Sequence, residues 1–489
     1  MQYKWVALSV TTVGVLMFGL DMRIVVVGLP VIAREMGVDI EGVIWISQAY
    51  LLASTLGLLL IGRVADLFGR VKLYKIGFAI FTIGSALSSI SFSAAQLIVS
   101  RIVQGIGSSM MFVNSTAILT DAASKDDLGT LLGLNQIAVR IGGVLGLTLS
   151  GVILSLTDWR ALFYINIPIG IFGTLWAHFR LREVSTRDEA RKIDWAGFGI
   201  FAAGLAMILL AITFLSYGLS DTKIGIALAI LGTVLMIVFV LIETRTDSPI
   251  LDLRLLKIRE FAGANIANFL NGLTWSGLLV MLSFYLQITQ HMTPLQTGIS
   301  ILPFEATFLI VGLISGKLSD RYGTRVFSTA GLIATSLGMI LLVFATNNSS
   351  SYFQIALALE AVGAGQGLFV APIISSIMGS VPPDRRGIGS AFQSTLYNVS
   401  QTASQGLVIL LITLGIPYGA FSSLANNLIS QNLVGVATEE FVDGFKIAAL
   451  VLALVNGIAI VPSLLRGGRK VREGAEQGFD DKQPRHSDN

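Results

Sequence analysis

Residues 62–70 read Gly62-Arg-Val-Ala-Asp66-Leu-Phe-Gly69-Arg70, and residues 316–325 read Gly316-Lys-Leu-Ser-Asp320-Arg321-Tyr-Gly323-Thr-Arg325. Both segments place an Asp four residues after the first Gly and a second Gly three residues later, and both end in basic residues. Each segment stands between two apolar stretches, so we predict a short polar loop between two helices in both places. A motif repeated in this way indicates that the chain consists of two related halves.

Apolar stretches that are long enough to span a membrane surround these loops. A spanning helix needs about 20 predominantly apolar residues. Stretches of that kind lie near 5–33, 43–61, 73–92, 95–119, 128–155, 161–179, 195–214, 223–243, 260–288, 296–315, 326–346, 352–377, 387–412 and 444–465. We therefore predict an all-α integral membrane protein with fourteen spanning helices. Two of them, at 195–214 and 223–243, are additional to the two six-helix halves.

The composition favours the same class of protein. Of the 489 residues, 53% are hydrophobic and 13% are charged, whereas soluble domains carry about 25% charged residues. Much of the surface must therefore be solvated by the lipid bilayer. The lack of Cys excludes disulfides, iron–sulfur clusters and thiolate metal sites, and the three His are not clustered. We expect no metal and no cofactor, and the formal net charge of +3 is too small to predict binding to nucleic acid.

The basic residues alternate between successive loops. Cytoplasmic loops of membrane proteins are rich in Lys and Arg. Basic clusters occur at 62–75, 180–193, 244–259, 316–325 and 383–386 and in the tail from Arg466, whereas the intervening loops hold only Arg34, Arg160, Lys223 and, at a helix edge, Lys446. This alternation requires an even number of spans and predicts that both termini are cytoplasmic. The stretch that begins at Met1 is too long for a cleaved signal peptide and is predicted to be the first span.

The repeat and the charge pattern predict four parts of the chain. Residues 1–180 form an N-terminal six-helix bundle, and residues 181–258 form a linker with two extra transmembrane helices. Residues 259–465 form a C-terminal six-helix bundle, and the polar residues 466–489 form a disordered cytoplasmic tail.

The loop motifs resemble the signature of the major facilitator superfamily, which reads Gly, any residue, Leu, Ala, Asp, Arg, any residue, Gly, Arg. The first loop matches it at Gly62, Asp66, Gly69 and Arg70. Other segments resemble the 14-helix drug:proton antiporters, a multidrug efflux family. They are Leu20-Asp21-Met-Arg-Ile-Val-Val-Val-Gly-Leu29-Pro30, Trp45-Ile-Ser-Gln-Ala-Tyr50-Leu51-Leu52, Trp159-Arg160-Ala-Leu-Phe163-Tyr-Ile-Asn166-Ile-Pro168, Tyr285-Leu286-Gln287 and Pro294-Leu295-Gln296-Thr297-Gly298.

The resemblance implies a major facilitator fold, with two pseudo-symmetric six-helix bundles plus two extra central transmembrane helices. It implies a secondary active transporter and not an enzyme. Such a protein exports small amphipathic molecules, drugs or toxic metabolites, in exchange for protons by alternating access. The implied partners are a small-molecule substrate, protons and the lipid bilayer, and we expect a monomer in the cell membrane.

Three departures from the family pattern leave a second function open. Arg23 stands where the family usually has Thr, and Val26 stands where it usually has Asn. The fifth-helix segment Gly142-Gly143-Val-Leu-Gly146 lacks the usual Pro and closely follows Arg140. These departures favour proton-coupled transport or exchange of an anionic metabolite. A membrane sensor that does not transport is a third hypothesis, disfavoured because the linkers and the tail are too short for a signalling domain.

Six charged residues fall well inside predicted spans, away from their ends, where each charge costs several kcal/mol. They are Asp21, Arg23, Arg101, Arg140, Glu305 and Glu360. Arg101 begins Arg101-Ile-Val-Gln104-Gly105-Ile-Gly107, which matches the proton-relay motif of the family. Desolvation favours the neutral form of Asp21, whereas a nearby cation favours its charged form. The resemblance therefore assigns proton coupling to Asp21 and Arg101, and a purely structural ion pair is the alternative.

The other four charges are candidate substrate ligands. Arg23 is two residues from Asp21, so the two point to nearly opposite sides of a helix. Either Arg23 faces a neighbouring helix, or it takes the place of Asp21 in the cavity, and Arg140 poses the same choice. Acidic residues in the C-terminal half of this family often bind cationic drugs or protons, which makes Glu305 and Glu360 candidates. Burial of a protonated Glu360 in a close helix contact is the alternative.

Two polar stripes and the two loop motifs complete the candidate residues. A polar stripe inside an apolar helix must face protein or water. We predict that these stripes line a substrate cavity, with helix–helix hydrogen bonding as the alternative. The stripes contain Asn265, Asn268, Asn271 and Trp275 on the ninth span and Gln393, Tyr397, Gln401 and Gln405 on the thirteenth.

The two loop motifs are predicted to form a gate that holds the two halves together and breaks when they rock. Its members are Gly62, Asp66, Gly69 and Arg70 in the first loop and Gly316, Asp320, Arg321 and Gly323 in the second. Asp66 is predicted to accept hydrogen bonds from a facing helix N-terminus and to pair with Arg70.

Overall fold

A computed structural model describes residues 3–38, 40–123, 127–184, 194–216, 222–246, 249–347, 351–381, 386–415 and 435–466. Within these ranges all regular elements are helices, which confirms the all-α class. The helices are α1 (Tyr3–Met36), α2 (Ile40–Phe68), α3 (Arg70–Ser89), α4 (Ala94–Ala122), α5 (Leu128–Leu156), α6 (Ala161–Tyr164), α7 (Asn166–Arg180), α8 (Trp195–Ser216), α9 (Thr222–Glu243), α10 (Arg259–Ile288), α11 (Pro294–Tyr322), α12 (Thr324–Ala345), α13 (Tyr352–Ser380), α14 (Arg386–Gly415), α15 (Gly435–Ile458) and α16 (Ile460–Leu465).

Each predicted span coincides with a helix or, for the sixth and the last, with a pair of consecutive helices. Twelve of these segments are long and apolar enough to cross a membrane by length and composition. The other two are α2, in which only Gly42–Leu58 meets the apolar criterion, and α14, which carries the polar stripe of the thirteenth span. Hydropathy therefore supports twelve spans, and the number fourteen stays a prediction. The sequence predicts that the tail begins at Arg466, but Arg466 is buried and donates to Ser328 of α12. The rest of the tail, from residue 467 onward, lies outside the described residues.

The two bundles repeat the same helix pairings. In the first bundle α1 packs on α5, α2 and α3 pack on α4, and α3 packs on α7. In the second bundle α10 packs on α14, α11 and α12 pack on α13, and α12 packs on α15. The order of the pairings is identical, so the duplicated loop motif reflects a duplication of the whole six-helix unit.

Glycines in equivalent positions allow the closest of these pairings. A Cβ atom on Gly107 of α4 would lie 2.4 Å from the backbone nitrogen of Phe81 on α3. A Cβ atom on Gly365 of α13 would lie 2.3 Å from the backbone nitrogen of Thr335 on α12. Small residues let transmembrane helices approach backbone to backbone. The Gly-rich segment at 363–367 is therefore a packing surface.

The loop motifs are turns that require glycine. Gly69 has a φ angle of 102° and Gly323 has a φ angle of 92°. Residues with a Cβ atom rarely adopt such positive φ angles. The carboxylate of Glu183 accepts the backbone N–H groups of Arg70 and Val71, at 3.0 and 3.1 Å, and so caps α3. We call the side of the molecule with these two loops the motif face, and the other side the opposite face.

The two bundles meet along a seam formed by α5 with α11, α2 with α14, and α1 with α10. The close contacts across the seam lie toward the opposite face. A Cβ atom on Gly151 would lie 2.7 Å from Cα of Leu295, and Gln287 donates a hydrogen bond to the carbonyl oxygen of Val27 at 3.0 Å. The seam is therefore closed at the opposite face.

The extra helices α8 and α9 pack on each other, and α8 also contacts both α2 and α14. Its apolar residues Phe201, Leu205 and Leu209 are buried in a cluster that includes side chains of both neighbours. Because α2 belongs to the first bundle and α14 to the second, α8 lies along one flank of the seam.

The direction of the chain across the membrane is the first testable prediction. A reporter fused after Arg466 should be cytoplasmic, and one inserted between Asn347 and Ser351 should be external, because the loop charges alternate. Fusions that fluoresce only in the cytoplasm measure this directly. If both reporters are found on the same side, the even number of spans is wrong.

Candidate functional site

Asp21 and Arg101 form a buried ion pair inside the first bundle. Nη1 of Arg101 lies 2.6 Å from Oδ2 of Asp21, and the side chains are 1% and 0% exposed. Oδ1 of Asp21 accepts hydrogen bonds from Gln104 and Asn166, both at 2.8 Å. Gln104 also donates to Ser85 at 2.8 Å. Three donors on α4 and α7 thus hold one carboxylate of α1.

The guanidinium of Arg101 is fixed on all sides. Its Nη1 also donates to Oε1 of Gln104 at 2.6 Å, and its Nε donates to the carbonyl oxygen of Ile46 at 3.4 Å. Its Cζ lies 4.1 Å from the ring centroid of Tyr50 and 5.7 Å from that of Phe163. A buried ion pair is tolerated when further hydrogen bonds satisfy both partners, as they do here.

The structure brings the two predicted coupling residues together, but it adds partners that were not predicted. Gln104 and Asn166 stand in segments that resemble motifs of the family, but neither was predicted to contact Asp21. Gln104 follows Arg101 by three residues and therefore shares its helix face, which is a signal that the sequence offers. Asn166 is a polar residue within an otherwise apolar stretch, and nothing in its spacing connects it to Asp21.

Arg23 lies on the other side of α1, at the seam. Its side chain packs against Gly146 of α5, where an added Cβ atom would lie 3.2 Å from Cβ of Arg23. Its Cζ lies 5.5 Å from the ring centroid of Trp275 on α10. Arg23 is 8% exposed, and its guanidinium donates no hydrogen bond to any described residue. Of the two alternatives from the sequence, the structure shows Arg23 at the seam and Asp21 inside its own bundle.

Arg140 occupies a similar place on α5. Its Cζ lies 4.4 Å from the ring centroid of Phe308 on α11. Between the two arginines stand Trp275, Phe304 and Phe308, which we call the aromatic ladder. The first two rings are stacked with centroids 4.0 Å apart, and the second and third are stacked with centroids 6.0 Å apart. The ladder belongs to the second bundle, and the arginines at its ends belong to the first.

The two predicted acidic residues have different environments. Glu305 follows Phe304 on α11, is 5% exposed, and is near enough to Arg23 to act on its charge. Glu360 is exposed, so the interpretation that a close helix contact buries it is wrong. Its neighbour Gly363 does make such a contact, since a Cβ atom there would lie 2.5 Å from the carbonyl oxygen of Phe304. Glu305 therefore belongs to the seam site, whereas no described contact connects Glu360 to that site.

The polar stripe of α10 is buried, but part of it is used within the second bundle. Asn271 donates to Asn456 at 2.9 Å, and Asn456 donates to the carbonyl oxygen of Leu332 at 2.8 Å. Asn265 donates to its own helix, at the carbonyl oxygen of Phe261. The bond of Asn271 is a helix–helix hydrogen bond, which was the alternative to a cavity-lining role, and the bond of Asn265 stays within α10. Asn268, 2% exposed, remains a candidate ligand.

The polar stripe of α14 reaches the seam. Nε2 of Gln405 donates to the hydroxyl groups of Ser47 on α2 and Ser276 on α10, both at 3.1 Å. Oε1 of Gln401 is buried and accepts no hydrogen bond from the described residues. Tyr397 is half-buried, and Gln393 is 8% exposed.

The predicted gate is described only in part. Arg70 pairs with Asp121 of α4, with 2.5 Å between Nη1 and Oδ1. The side chains of Asp66 and Asp320 lie outside the described part of the structure, so the predicted pairing of Asp66 stays a prediction. A Cβ atom on Gly62 would contact Val113 of α4 at 3.9 Å, and one on Gly316 would contact Ala371 of α13 at 3.7 Å. Arg321 is exposed. Among the described residues no cluster of His, Asp and Glu could hold a metal ion.

Comparison with known proteins identifies relatives over most of the chain. The Major Facilitator Superfamily model matches residues 11–405 and 264–466. The riboflavin transporter RibZ of Clostridioides difficile is 30% identical over 403 residues, which cover 82% of this chain and 86% of that protein. The multidrug resistance protein Stp of Mycobacterium tuberculosis is 31% identical over 399 residues, 81% of this chain and 73% of that protein.

Solved structures share the fold at low sequence identity. The human organic anion transporter MFSD10 superimposes with a TM-score of 0.63 at 16% identity, covering 95% of this chain and 99% of that chain. A bacterial homolog of the human lysosomal transporter Spinster, inward-facing and unoccupied, superimposes with a TM-score of 0.65 at 14% identity, covering 95% and 97%. Together with the repeated bundles and the span-length helices, these matches show that the chain is a multi-pass membrane transporter that belongs to the Major Facilitator Superfamily.

Proposed function

We propose that this transporter exports small amphipathic molecules from the cell in exchange for protons by alternating access. The observation that carries the proposal is the buried pair of Asp21 and Arg101. Asp21 is the one acidic residue that the sequence places inside a span of the first bundle. A proton–substrate exchanger needs a group that is protonated in one conformation and ionised in the other.

The contacts of Asp21 are those of an ionised carboxylate. Arg101, Gln104 and Asn166 all donate to its oxygens, and among the described residues none accepts a hydrogen bond from these oxygens. A proton on Asp21 would displace one of these donors, so protonation must be coupled to a shift of α4 or α7 against α1. The donors sit on two helices, α4 and α7, which lets protonation of Asp21 on α1 act on the packing of the whole bundle.

Closure of the seam at the opposite face is consistent with an exchange of a proton on Asp21 for substrate. The opposite face is closed, and the predicted topology makes the motif face cytoplasmic. In this conformation an exporter would have released its proton and be ready to accept substrate from the cytoplasm. Relatives named as multidrug resistance proteins and as a riboflavin transporter support a small-molecule substrate.

Transport of protons and substrate can be tested with the purified protein in proteoliposomes under an imposed pH gradient. A mixed panel of cationic dyes and organic anions should include a compound that accumulates only while the gradient lasts, and that accumulation should collapse with a protonophore. Accumulation of such a compound without any proton gradient would contradict proton coupling.

Alternating access predicts that locking the opposite face stops transport. The native chain has no Cys, so Ser47→Cys combined with Gln405→Cys introduces the only reactive pair. These side chains are joined across the seam by a hydrogen bond of 3.1 Å. A short bis-methanethiosulfonate, which forms a disulfide with each of the two thiols, should abolish substrate exchange in the double variant, and reduction of these disulfides should restore it. Each single variant treated alike is the control, and unchanged exchange in the bridged protein would contradict the mechanism.

We also propose that the protein resides in the cell membrane with both termini in the cytoplasm and acts as a monomer. The proposed division of the chain at 180, 258 and 465 follows the charge pattern, and the helix pairings are consistent with it.

A further inference from the structure

Five side chains form a row across the seam at the level of the aromatic ladder. In order they are Arg23, Trp275, Phe304, Phe308 and Arg140. The ring planes of the ladder differ by 25° and 21° at its two steps. A guanidinium from the first bundle thus covers each end of a stack of rings from the second bundle.

The two ends of the row are not equivalent. Arg140 lies 4.4 Å from its ring, and the structural pair of Arg101 and Tyr50 has a similar spacing of 4.1 Å. Arg23 lies 5.5 Å from Trp275, more than 1 Å farther than either. Cation–π attraction weakens with distance, so the contact at the Arg23 end is the looser one.

The Arg23 guanidinium, at this looser end, is also without an acceptor among the described residues. A guanidinium carries five N–H donors, and the nitrogens of Arg23 are not among the fully buried atoms that lack a partner, so the small exposed part of this residue includes its donor groups. Arg23 is more than nine-tenths buried, yet no described residue accepts a hydrogen bond from it. Glu305 acts on its charge without a direct bond. An acceptor supplied from outside the chain would complete this site.

The net charge of the site indicates which charge a ligand that supplies this acceptor should carry. Arg23 and Arg140 contribute two positive charges and Glu305 one negative charge, which leaves one positive charge. A ligand with a single negative charge balances the site, whereas a cation would add to the excess. The parallel rings favour a flat aromatic body next to that charge.

We propose that the seam binds planar aromatic monoanions, with the acidic group of the ligand on Arg23 and its ring against the aromatic ladder at Trp275. The carboxylate of Glu305 competes with the ligand for the positive charge of Arg23. Arg140 contacts Phe308 at the other end of the aromatic ladder. This inference rests on the proposed export function, since it names the class of substrate for the same transport path.

Equilibrium binding of radiolabelled naphthoate to the purified full-length protein in detergent tests the inference. Naphthoate should bind at least about tenfold more tightly than naphthalenemethanol or naphthylmethylammonium, since a charged hydrogen bond is lost or reversed. The saturated analogue decalincarboxylate keeps the charge and loses the flat ring, and it should also bind more weakly. Equal or tighter binding of the cation would overturn the inference.

Variants locate the site. Arg23→Gln should weaken naphthoate binding by about tenfold or more, whereas Glu305→Gln should tighten it by about threefold or more, because it removes the competitor. The gain in Glu305→Gln cannot arise from misfolding. Arg160→Ala is the matched control, because Arg160 also lies over a ring, that of Trp159 at 4.5 Å, but pairs with Asp158 far from the ladder. Unchanged or weaker binding in Glu305→Gln would overturn the inference.

Failure of this inference can be distinguished from failure of the proposed function. If naphthoate does not bind but a cationic dye accumulates under a pH gradient, the substrate class is wrong and proton-coupled export stands. If naphthoate binds with the predicted pattern but its transport ignores the gradient, the substrate class stands and proton coupling is wrong.

Discussion

Replacing Asp21 with Asn should abolish substrate accumulation driven by a pH gradient. Asn keeps the size and polarity of the side chain but cannot take up and release a proton. Exchange of labelled for unlabelled substrate across proteoliposomes should survive, because it requires no net movement of protons. The two assays on the same preparation separate loss of coupling from loss of the transporter.

The same substitution should also lower stability. It leaves Arg101 as an unpaired charge in a site that is 1% exposed, and removing one partner of a buried ion pair costs about 3–5 kcal/mol. Surviving exchange is therefore the essential control for folding. Asp158→Asn offers a matched comparison, because Asp158 also pairs with an arginine, at 2.8 Å, but is half exposed at the end of α5. That variant should keep full coupling.

Arg101→Lys should impair coupling without abolishing it, because Lys retains the charge but loses the planar guanidinium, which bonds Asp21 through Nη1 and the carbonyl oxygen of Ile46 through Nε. If Asp21→Asn still concentrates substrate when only a pH gradient is imposed, the coupling site lies elsewhere. Glu305 would then be the leading candidate, since it is the buried acidic residue of the seam.

Two adjacent glycines of α5 should respond in opposite ways to Ala. A Cβ atom on Gly142 would lie 2.2 Å from the carbonyl oxygen of Leu16, so the backbones of α1 and α5 would have to separate. Such overpacking costs about 1–3 kcal/mol, and the clash with rigid backbone puts this site at the upper end. A Cβ atom on Gly143 would meet Cγ of Arg23 at 3.5 Å, which is ordinary contact.

Gly142→Ala should therefore lower the thermal midpoint in detergent, and most of the expressed protein should be lost on size-exclusion chromatography. Gly143→Ala should be neutral or slightly stabilising, since Ala favours a helix over Gly by about 1 kcal/mol. Equal behaviour of the two variants would show that the α1–α5 contact is not as close as described. The experiment also shows which glycines of this motif serve packing: Gly142 and Gly146 face α1, and Gly151 faces α11.

The helical elements were largely predictable because membrane spans are specified by long apolar stretches. Two helices, α2 and α14, are too polar to meet the hydropathy criterion over a full span. They form one side of the seam, where function requires polar residues such as Gln405. The loop motifs predicted the internal repeat because a positive φ angle at Gly69 and Gly323 leaves a signature in the sequence.

The candidate site was predictable at the level of residues but not of partners. Charged residues inside spans identified Asp21, Arg23, Arg101, Arg140 and Glu305. Helical geometry placed Asp21 and Arg23 on different sides but could not decide which one faces the seam. The aromatic ladder was not predicted, because Phe304 and Phe308 are apolar residues in an apolar helix and nothing in their spacing distinguishes them from lipid-facing residues.

The position of α8 has a consequence for molecules that approach from within the bilayer. An amphipathic molecule partitions into the leaflet and can reach the space between the bundles sideways, without entering water. On the α2–α14 flank it meets the apolar side chains of α8, with Ile212 against Gly406. On the α5–α11 flank no described helix stands in the way. We therefore expect lateral entry on the α5–α11 flank, so bulky substitutions on the lipid-facing edge of α5 or α11 should slow transport of membrane-dissolved compounds and spare those that arrive through water.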